Sequence, residues 1–302
     1  MSINAPSLFT QEFATNVALL SQQRQSVFET AVMHGSHTGE QASPINQVGS
    51  VEMQPVNSRF QPKTRSDLTV DRRWITPQDW DLTLMVDTFD KLKMAVDLQS
   101  GEVAAAVAAR NRRKDDTILA AFFATALTGK NGGTSTILPT STNTNVISVS
   151  YGATTSNMSV AKLKKAVELL MTNNVDLDNE ELFCGLGPKQ NTALMNDIEV
   201  IDGSFRGAVI DGKGRLASWN GIQFKHSNRF SAPASGDDGG GTSRQIPLWC
   251  KSAMHLGTWQ NDVVRIRQAE ELKGNPWELY CYQSLNATRI EEAKVIKIWC
   301  RE

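Results

Sequence analysis

The segment that most limits how this chain can fold lies between Pro44 and about Met94. Its short runs alternate apolar and polar residues or carry β-branched residues, as in "DLTLMVD", and prolines at 55, 62 and 77 interrupt them. This pattern predicts short strands in a long hairpin. Because the hairpin holds few large aliphatic residues, it cannot bury itself against its own strands. We therefore expect the hairpin to project from the rest of its own chain.

The middle of this segment is basic. Between residues 58 and 73, two acidic residues, Asp67 and Asp71, stand against five basic ones: Arg59, Lys63, Arg65, Arg72 and Arg73. Two tryptophans follow at positions 74 and 80, beside Asp79 and Asp81. No nucleophile, histidine or glycine-rich loop accompanies them, so this stretch predicts a role in packing rather than in chemistry.

Residues 100 to 129 show the most regular pattern of the chain. Ser100 can cap a helix and Gly129 can end it. The apolar residues between them fall mostly on one stripe, which predicts a helix roughly 40 Å long. The charges of its central "RNRRKDD" largely cancel. This favours a solvated or subunit-facing turn of the helix over a nucleic-acid patch.

The remaining segments predict a second globular unit after an amphipathic start. Residues 8 to 33 carry apolar side chains at helical spacing. "MSVAKLKKAVELLMTNN" predicts a helix, and "EELFCGLGPKQNTALMND" a buried strand, a Gly-Pro turn and another helix. The closing runs are rich in β-branched and aromatic residues at strand lengths. This order is typical of an α+β or α/β unit.

The length, composition and net charge of the chain exclude several classes of protein. With 302 residues, 40% of them apolar, and a net charge of −1, the chain can bury one large core or two modest ones. This charge argues against a protein that coats nucleic acid. No run approaches the roughly 18 to 20 apolar residues of a membrane span, so we expect no membrane partner and a cytoplasmic protein. The four widely spaced cysteines favour buried thiols over metal or redox sites.

No motif for catalysis or cofactor binding is complete. "TGKNGGTS" has the residues of a phosphate loop in the wrong order, and "GLGPKQ" lacks the last glycine of a dinucleotide fingerprint. His34 and His37 could touch one metal but have no third ligand close by in sequence. His255 lies in an apolar run, which favours a core histidine. We therefore predict no enzyme, no cofactor and no metal site.

The order of these segments resembles the major capsid protein of tailed bacteriophages, the Johnson fold shared with the Hong Kong phage coat protein. "FTQEFATNVALLSQQRQSVFETAV" is similar to the N-terminal arm of one branch of that family, and "ARNRRKDDTILAAFFATALTG" to its spine helix. "LFCGLGPKQNTALMND" resembles its Pro-Lys-Gln turn, and "NATRIEEAKVIKIWC" its closing strand. The resemblance covers nearly the whole chain and implies an α+β fold.

The resemblance also implies a division of the chain. Residues 1–42 would be the N-arm, 43–94 the extended E-loop, 95–157 with 286–302 the peripheral domain, and 158–285 the axial domain. The implied partners are many copies of the same chain in hexamers and pentamers, with scaffolding, portal and decoration proteins and weak contact with packaged double-stranded DNA. The implied location is the virion, assembled in the host cytoplasm. The glycine-rich loop 235–242 would be a surface insertion.

Within this implied E-loop, the charged and aromatic residues become candidate subunit contacts. They are Arg59, Lys63, Arg65, Arg72, Arg73, Trp74, Trp80 and Asp81. Aromatic anchors would supply contact area and the charges would fix the register. A second interpretation, in which both tryptophans pack the base of the hairpin onto their own chain, remains open.

Three alternative functions remain at this point. One is another virion part, such as a decoration or tail-tube protein. Another is an encapsulin-like shell that holds a cargo enzyme. A hydrolase would need a clustered Asp/His site in a cleft.

Overall fold

The computed structural model describes residues 22–63, 65–86, 99–139, 144–152, 156–197, 208–231 and 242–302. Residues 1–21 of the predicted N-arm and residues 235–241 of the glycine-rich loop lie outside the described residues. The chain divides into two compact units. The small unit comprises residues 1–26, 79–113 and 260–283, and the large unit residues 27–78, 114–259 and 284–302.

Three α-helices are described: α1 (Gln99–Phe123), α2 (Val160–Thr172) and α3 (Pro188–Met195). Ser159 caps α2 by accepting a hydrogen bond from the Lys162 backbone N–H, and Pro188 begins α3, where a missing N–H costs nothing. The long helix is confirmed, but it ends six residues before Gly129. Residues 126–128 pair as a strand instead, and Gly129, at φ +88°, turns the chain after that strand. Among the described helices, none is both long and apolar enough to cross a membrane.

Fifteen strands are described, in three sheets. They are β1 (Met33–Ser36), β2 (Asn46–Val48), β3 (Val70–Trp74), β4 (Asp79–Val86), β5 (Ala126–Thr128), β6 (Thr134–Thr136), β7 (Val146–Ile147), β8 (Leu182–Leu186), β9 (Ala208–Ile210), β10 (Leu216–Trp219), β11 (Ile222–His226), β12 (Ser243–Cys250), β13 (Met254–Gln268), β14 (Trp277–Arg289) and β15 (Val295–Arg301). The sheet orders are β1-β13-β14-β4, β7-β15-β12-β8-β11-β10-β9 and β2-β3-β5-β6.

The seven-stranded sheet combines parallel and antiparallel pairs. Strand β12 lies antiparallel to both β8 and β15, whereas β8 is parallel to β11 and β7 to β15. The Asn220–Gly221 turn joins β10 to β11 with φ +44° and +83°. Two consecutive positive φ values define the turn that suits a two-residue hairpin, and asparagine and glycine adopt them at little cost.

Trp249 on β12 is the centre of the large unit's core. Its side chain is fully buried, and its ring lies 4.6 Å from the Phe122 ring and 5.9 Å from the Phe183 ring, centroid to centroid. The indole N–H donates to the Ala31 carbonyl at 2.8 Å. One residue thus ties the end of α1 and the described N-terminal segment to the sheet. The small unit has its own apolar cluster around Ala106, Leu279 and Cys281.

An ionic junction in the large unit joins β3, the end of α1 and the segment before β15. The Arg73 guanidinium donates to both carboxylate oxygens of Glu292, at 3.0 and 2.5 Å. Arg289, 1% exposed, donates to the same carboxylate at 3.2 Å and to the carbonyls of Phe122 and Ala124. Burial lowers the pKa of Arg289, and Glu292 opposes that shift. One carboxylate therefore compensates two nearly buried cations.

We expect Glu292→Gln to lower the free energy of unfolding by about 3 to 5 kcal/mol, because it leaves two buried guanidinium groups without their counter-ion. Urea unfolding at pH 7, followed by tryptophan fluorescence, measures the change. The matched control is Glu271→Gln: Glu271 has a 72% exposed side chain, 3.9 Å from Arg267, and should cost less than about 1 kcal/mol. Equal losses in the two variants would contradict this account of the junction.

Candidate assembly surface

The loop between β2 and β3, residues 49–69, is exposed along its length. Strands β2 and β3 pair antiparallel from Val48↔Val70 to Asn46↔Arg72, so the predicted hairpin forms. All described side chains from residue 50 to 69 are exposed, including Arg59, Lys63 and Arg65. Met53 and Phe60 are 100% exposed. The loop thus holds large apolar side chains entirely in water.

The base of the hairpin is held within its own chain. Arg72 is exposed, and its Nε donates to the Asn46 side chain at 2.8 Å. Arg73 was predicted as a subunit contact, but it is 4% exposed because Glu292 and Gln47 hold its guanidinium. The Trp74 indole donates to the Gly129 carbonyl at 2.6 Å. The interpretation of Trp74 as an anchor on its own chain accounts for this bond.

Trp80 and Asp81 belong to the small unit, whereas Trp74 belongs to the large one. Trp80 lies on β4, and the Arg113 guanidinium of α1 stacks on its ring, 3.2 Å from the centroid. Asp81 is exposed. Six of the eight predicted residues therefore lie in the large unit, on the exposed loop or at the hairpin base, and two lie on β4 in the small unit.

A mostly apolar cavity of about 180 Å³ opens beside Trp80 in the small unit. Its lining includes Trp80, Leu82, Ala106, Cys281, Tyr282 and Gln283. Two polar atoms of this lining, Trp80 Nε1 and Gln283 Oε1, have no hydrogen-bond partner among the described residues. Gln283 is 4% exposed. Sequence analysis missed this site, because β4, α1 and β14 come together only in the fold.

The charged centre of α1, predicted as a solvated or subunit-facing turn, contacts the N-terminal segment of its own chain. In the small unit, Asn111 donates to the Arg24 carbonyl at 2.8 Å and Arg112 to the Gln22 side chain at 2.6 Å. In the large unit, the Asp115 carboxylate, fully buried, accepts the backbone N–H groups of Val27 and Phe28. The polar side chains therefore fasten the described part of the N-terminal segment, a role that charge counting alone could not reveal.

We expect Arg113→Met to lower the free energy of unfolding by about 1 to 2 kcal/mol, because it keeps the aliphatic stem but removes the cation from the Trp80 ring. Chemical unfolding measures the change. In the control Arg265→Met, the guanidinium lies 6.0 Å from the Tyr282 ring on an exposed residue. That loss should be below about 0.5 kcal/mol. A larger loss for Arg265 than for Arg113 would refute the stacking assignment.

His37 and His255 form a hydrogen-bonded pair. His37 Nε2 lies 2.8 Å from His255 Nε2, and His34 Nε2 contacts the Glu29 carbonyl. Burial, followed by the neighbouring His37 and His34, lowers the pKa of His255 to about 4. Burial also lowers the pKa of His37. Within the described part of the chain, no three His, Cys, Asp or Glu side chains are placed to hold a metal ion.

This pair predicts acid sensitivity. The unfolded chain protonates His255 near pH 6.5, but the folded chain does so only near pH 4. Between these values the unfolded state binds more protons, so the free energy of unfolding should fall by about 3 kcal/mol from pH 6.5 to pH 4. Urea unfolding at several pH values should show that His255→Gln loses this dependence.

The comparison variant for this test is His226→Gln. The His226 Nε2–H donates to the Leu216 carbonyl of its own hairpin at 2.7 Å, so this substitution leaves the His37–His255 pair intact. This variant should keep most of the acid-induced loss. The same pH dependence in His255→Gln as in the natural chain would show that other groups cause it.

Comparison with known proteins decides the family. Residues 5–302 match the model of a family described as phage capsid protein. The chain belongs to the phage capsid protein family. As a capsid protein it is a structural component of the virion, a major capsid protein that assembles with copies of itself. No curated protein matches the sequence.

Solved structures confirm the fold of this capsid protein. The capsid of cyanophage P-SCSP1u is 15% identical, with a TM-score of 0.73 over 99% of this chain and 95% of that one. The capsid of Ralstonia phage GP4 is 13% identical, with a TM-score of 0.73 over 100% and 97%. The head of Helicobacter pylori bacteriophage KHP40 is 12% identical, with a TM-score of 0.72 over 99% and 98%. The expected α+β Johnson fold is confirmed.

Proposed function

We propose that this capsid protein builds an icosahedral head around double-stranded DNA, and that the loop 49–69 holds each copy to a neighbour within hexamers and pentamers. The exposed apolar side chains of that loop carry the proposal. Met53 and Phe60 are fully exposed and Val56 is 84% exposed. Burying such side chains stabilises by about 1.5 to 3 kcal/mol each. A second copy can supply that burial.

The loop also carries the charges that would orient such a contact. Arg59, Lys63 and Arg65 are exposed on it. A loop without its own core gives up conformational entropy when it becomes ordered, and contacts with other copies must compensate for that loss. Summed over several neighbours, modest contacts make a stable shell. The proposed contact residues are therefore the exposed members of the predicted set. Arg73 instead holds the base of the hairpin through its ion pair with Glu292.

The domain division belongs to this proposal. Residues 1–42 act as the N-arm, 43–94 as the E-loop, 95–157 with 286–302 as the peripheral domain, and 158–285 as the axial domain. The net charge of −1 suits a wall that neither binds packaged DNA tightly nor repels it. Assembly in the host cytoplasm and contacts with scaffolding, portal and decoration proteins complete the proposal. The chain acts mechanically, not as an enzyme.

We expect a chain with residues 50–68 replaced by Asn-Gly to fold but not to form shells. The Gly49 N–H donates to the Thr69 carbonyl at 2.7 Å, and β2 and β3 pair next to it, so a two-residue turn can close the hairpin. The described side chains in the replaced range are exposed, so the free energy of unfolding should change by less than about 1 kcal/mol. Negative-stain electron microscopy and urea unfolding measure the two properties.

The buried residues of the N-terminal segment limit how many residues can be deleted from it without unfolding the chain. Phe28 and Ala31 are fully buried. A deletion of residues 1–40 would therefore disrupt the core, and the informative deletion ends at residue 21.

Uniform shells formed by the loop-shortened chain would contradict the proposed role of the loop.

A further inference from the structure

We propose that the cavity beside Trp80 receives the Phe60 side chain of a second copy of this chain. The inference rests on the proposed function and names the place where the exposed loop binds. It uses two features that the fold leaves unexplained. One is a mostly apolar cavity, and the other is an aromatic side chain held fully in water.

The cavity has the size and lining that a phenyl ring needs. Its volume is about 180 Å³, and an apolar cavity of about 150 Å³ is enough to bind benzene. The Trp80 and Tyr282 rings contribute to its walls. Arg113 is also a lining residue, and an entering ring gains aromatic contacts together with apolar burial.

The charged residue beside Phe60 can pair with Asp81 of the cavity lining, which also includes Arg110 and Arg113. Arg59 precedes Phe60 in the loop and is exposed, and Asp81 follows Trp80 at the cavity and is also exposed. With the ring in the cavity, the guanidinium of one copy can reach the carboxylate of the other.

The backbone conformation at Phe60 places its side chain at an exposed turn. Phe60 has φ +62°, a left-handed conformation that is a genuine outlier for a bulky side chain. The Asn57 N–H donates to the Gln61 side chain across this turn at 2.9 Å. Residues in such sparsely populated backbone conformations cluster at functional sites. The loop thus exposes the ring at a turn that its own sequence does not favour.

Disulfide trapping in assembled shells tests the contact, because Cys281 lines the cavity. The other three cysteines are 0% exposed, whereas Cys281 is 6% exposed. Shells of Phe60→Cys, oxidised with copper phenanthroline, should shift from monomer to covalent multimers on a non-reducing gel and return to monomer on reduction. Mass spectrometry of mixed isotope-labelled and unlabelled copies should find residue 60 linked to residue 281 of a differently labelled copy.

The controls separate this contact from its alternatives. Phe60→Cys combined with Cys281→Ser, and Met53→Cys alone, should both remain monomeric on the gel. Cross-linking from Met53→Cys but not from Phe60→Cys would overturn the assignment of Phe60. A link only between equally labelled peptides would overturn the assignment to a second copy.

A charge exchange gives an independent test that does not depend on a new thiol. Arg59→Asp and Asp81→Arg should each reduce the yield of shells seen by electron microscopy, and the double variant should restore it. Normal shells in both single variants would overturn the proposed contact while leaving the shell-forming function intact. If the natural chain forms no shells, the proposed function itself fails, so the two failures are distinguishable.

Discussion

A single carboxylate, that of Glu292, connects parts of the large unit that lie far apart in sequence. Arg73 reaches it from the base of the exposed hairpin, and Arg289 reaches it from the end of β14 while capping the last carbonyls of α1. Two nearly buried guanidinium groups without this carboxylate would carry uncompensated charge in a medium that solvates ions poorly. The hairpin base, the long helix and the closing strand are therefore fixed together.

This fixed base explains how the loop above it can remain exposed. The loop 49–69 contributes no buried side chain among its described residues from 50 onward, so the fold does not need it for stability. The core around Trp249 closes without it. One chain can then combine a stable fold with a loop whose apolar side chains remain exposed, as an assembling subunit requires. In the small unit, the cavity beside Trp80 is the proposed binding site for such a side chain from a second copy.

Much of the fold followed from local patterns. The helix at 160–172 and the strand, turn and helix around Pro188 were predicted because periodicity and turn residues act over a few positions. The end of α1 was not, since Ala126 to Thr128 carry no signal against a helix and form a strand only because β3 and β6 flank them. The burial of Arg73 could not be predicted for the same reason: its partner Glu292 lies 219 residues away.

The sequence by itself determined that a hairpin with few large aliphatic residues would stay uncovered, because no local segment could bury it. It also determined, through residues that resemble the capsid family, which fold to expect. Only the tertiary structure decided which charges are available for contact and which are already paired, and only it brought Trp80, Ala106 and Gln283 around one cavity. Burial and ion pairing depend on distances between residues remote in sequence, and composition and spacing do not contain those distances.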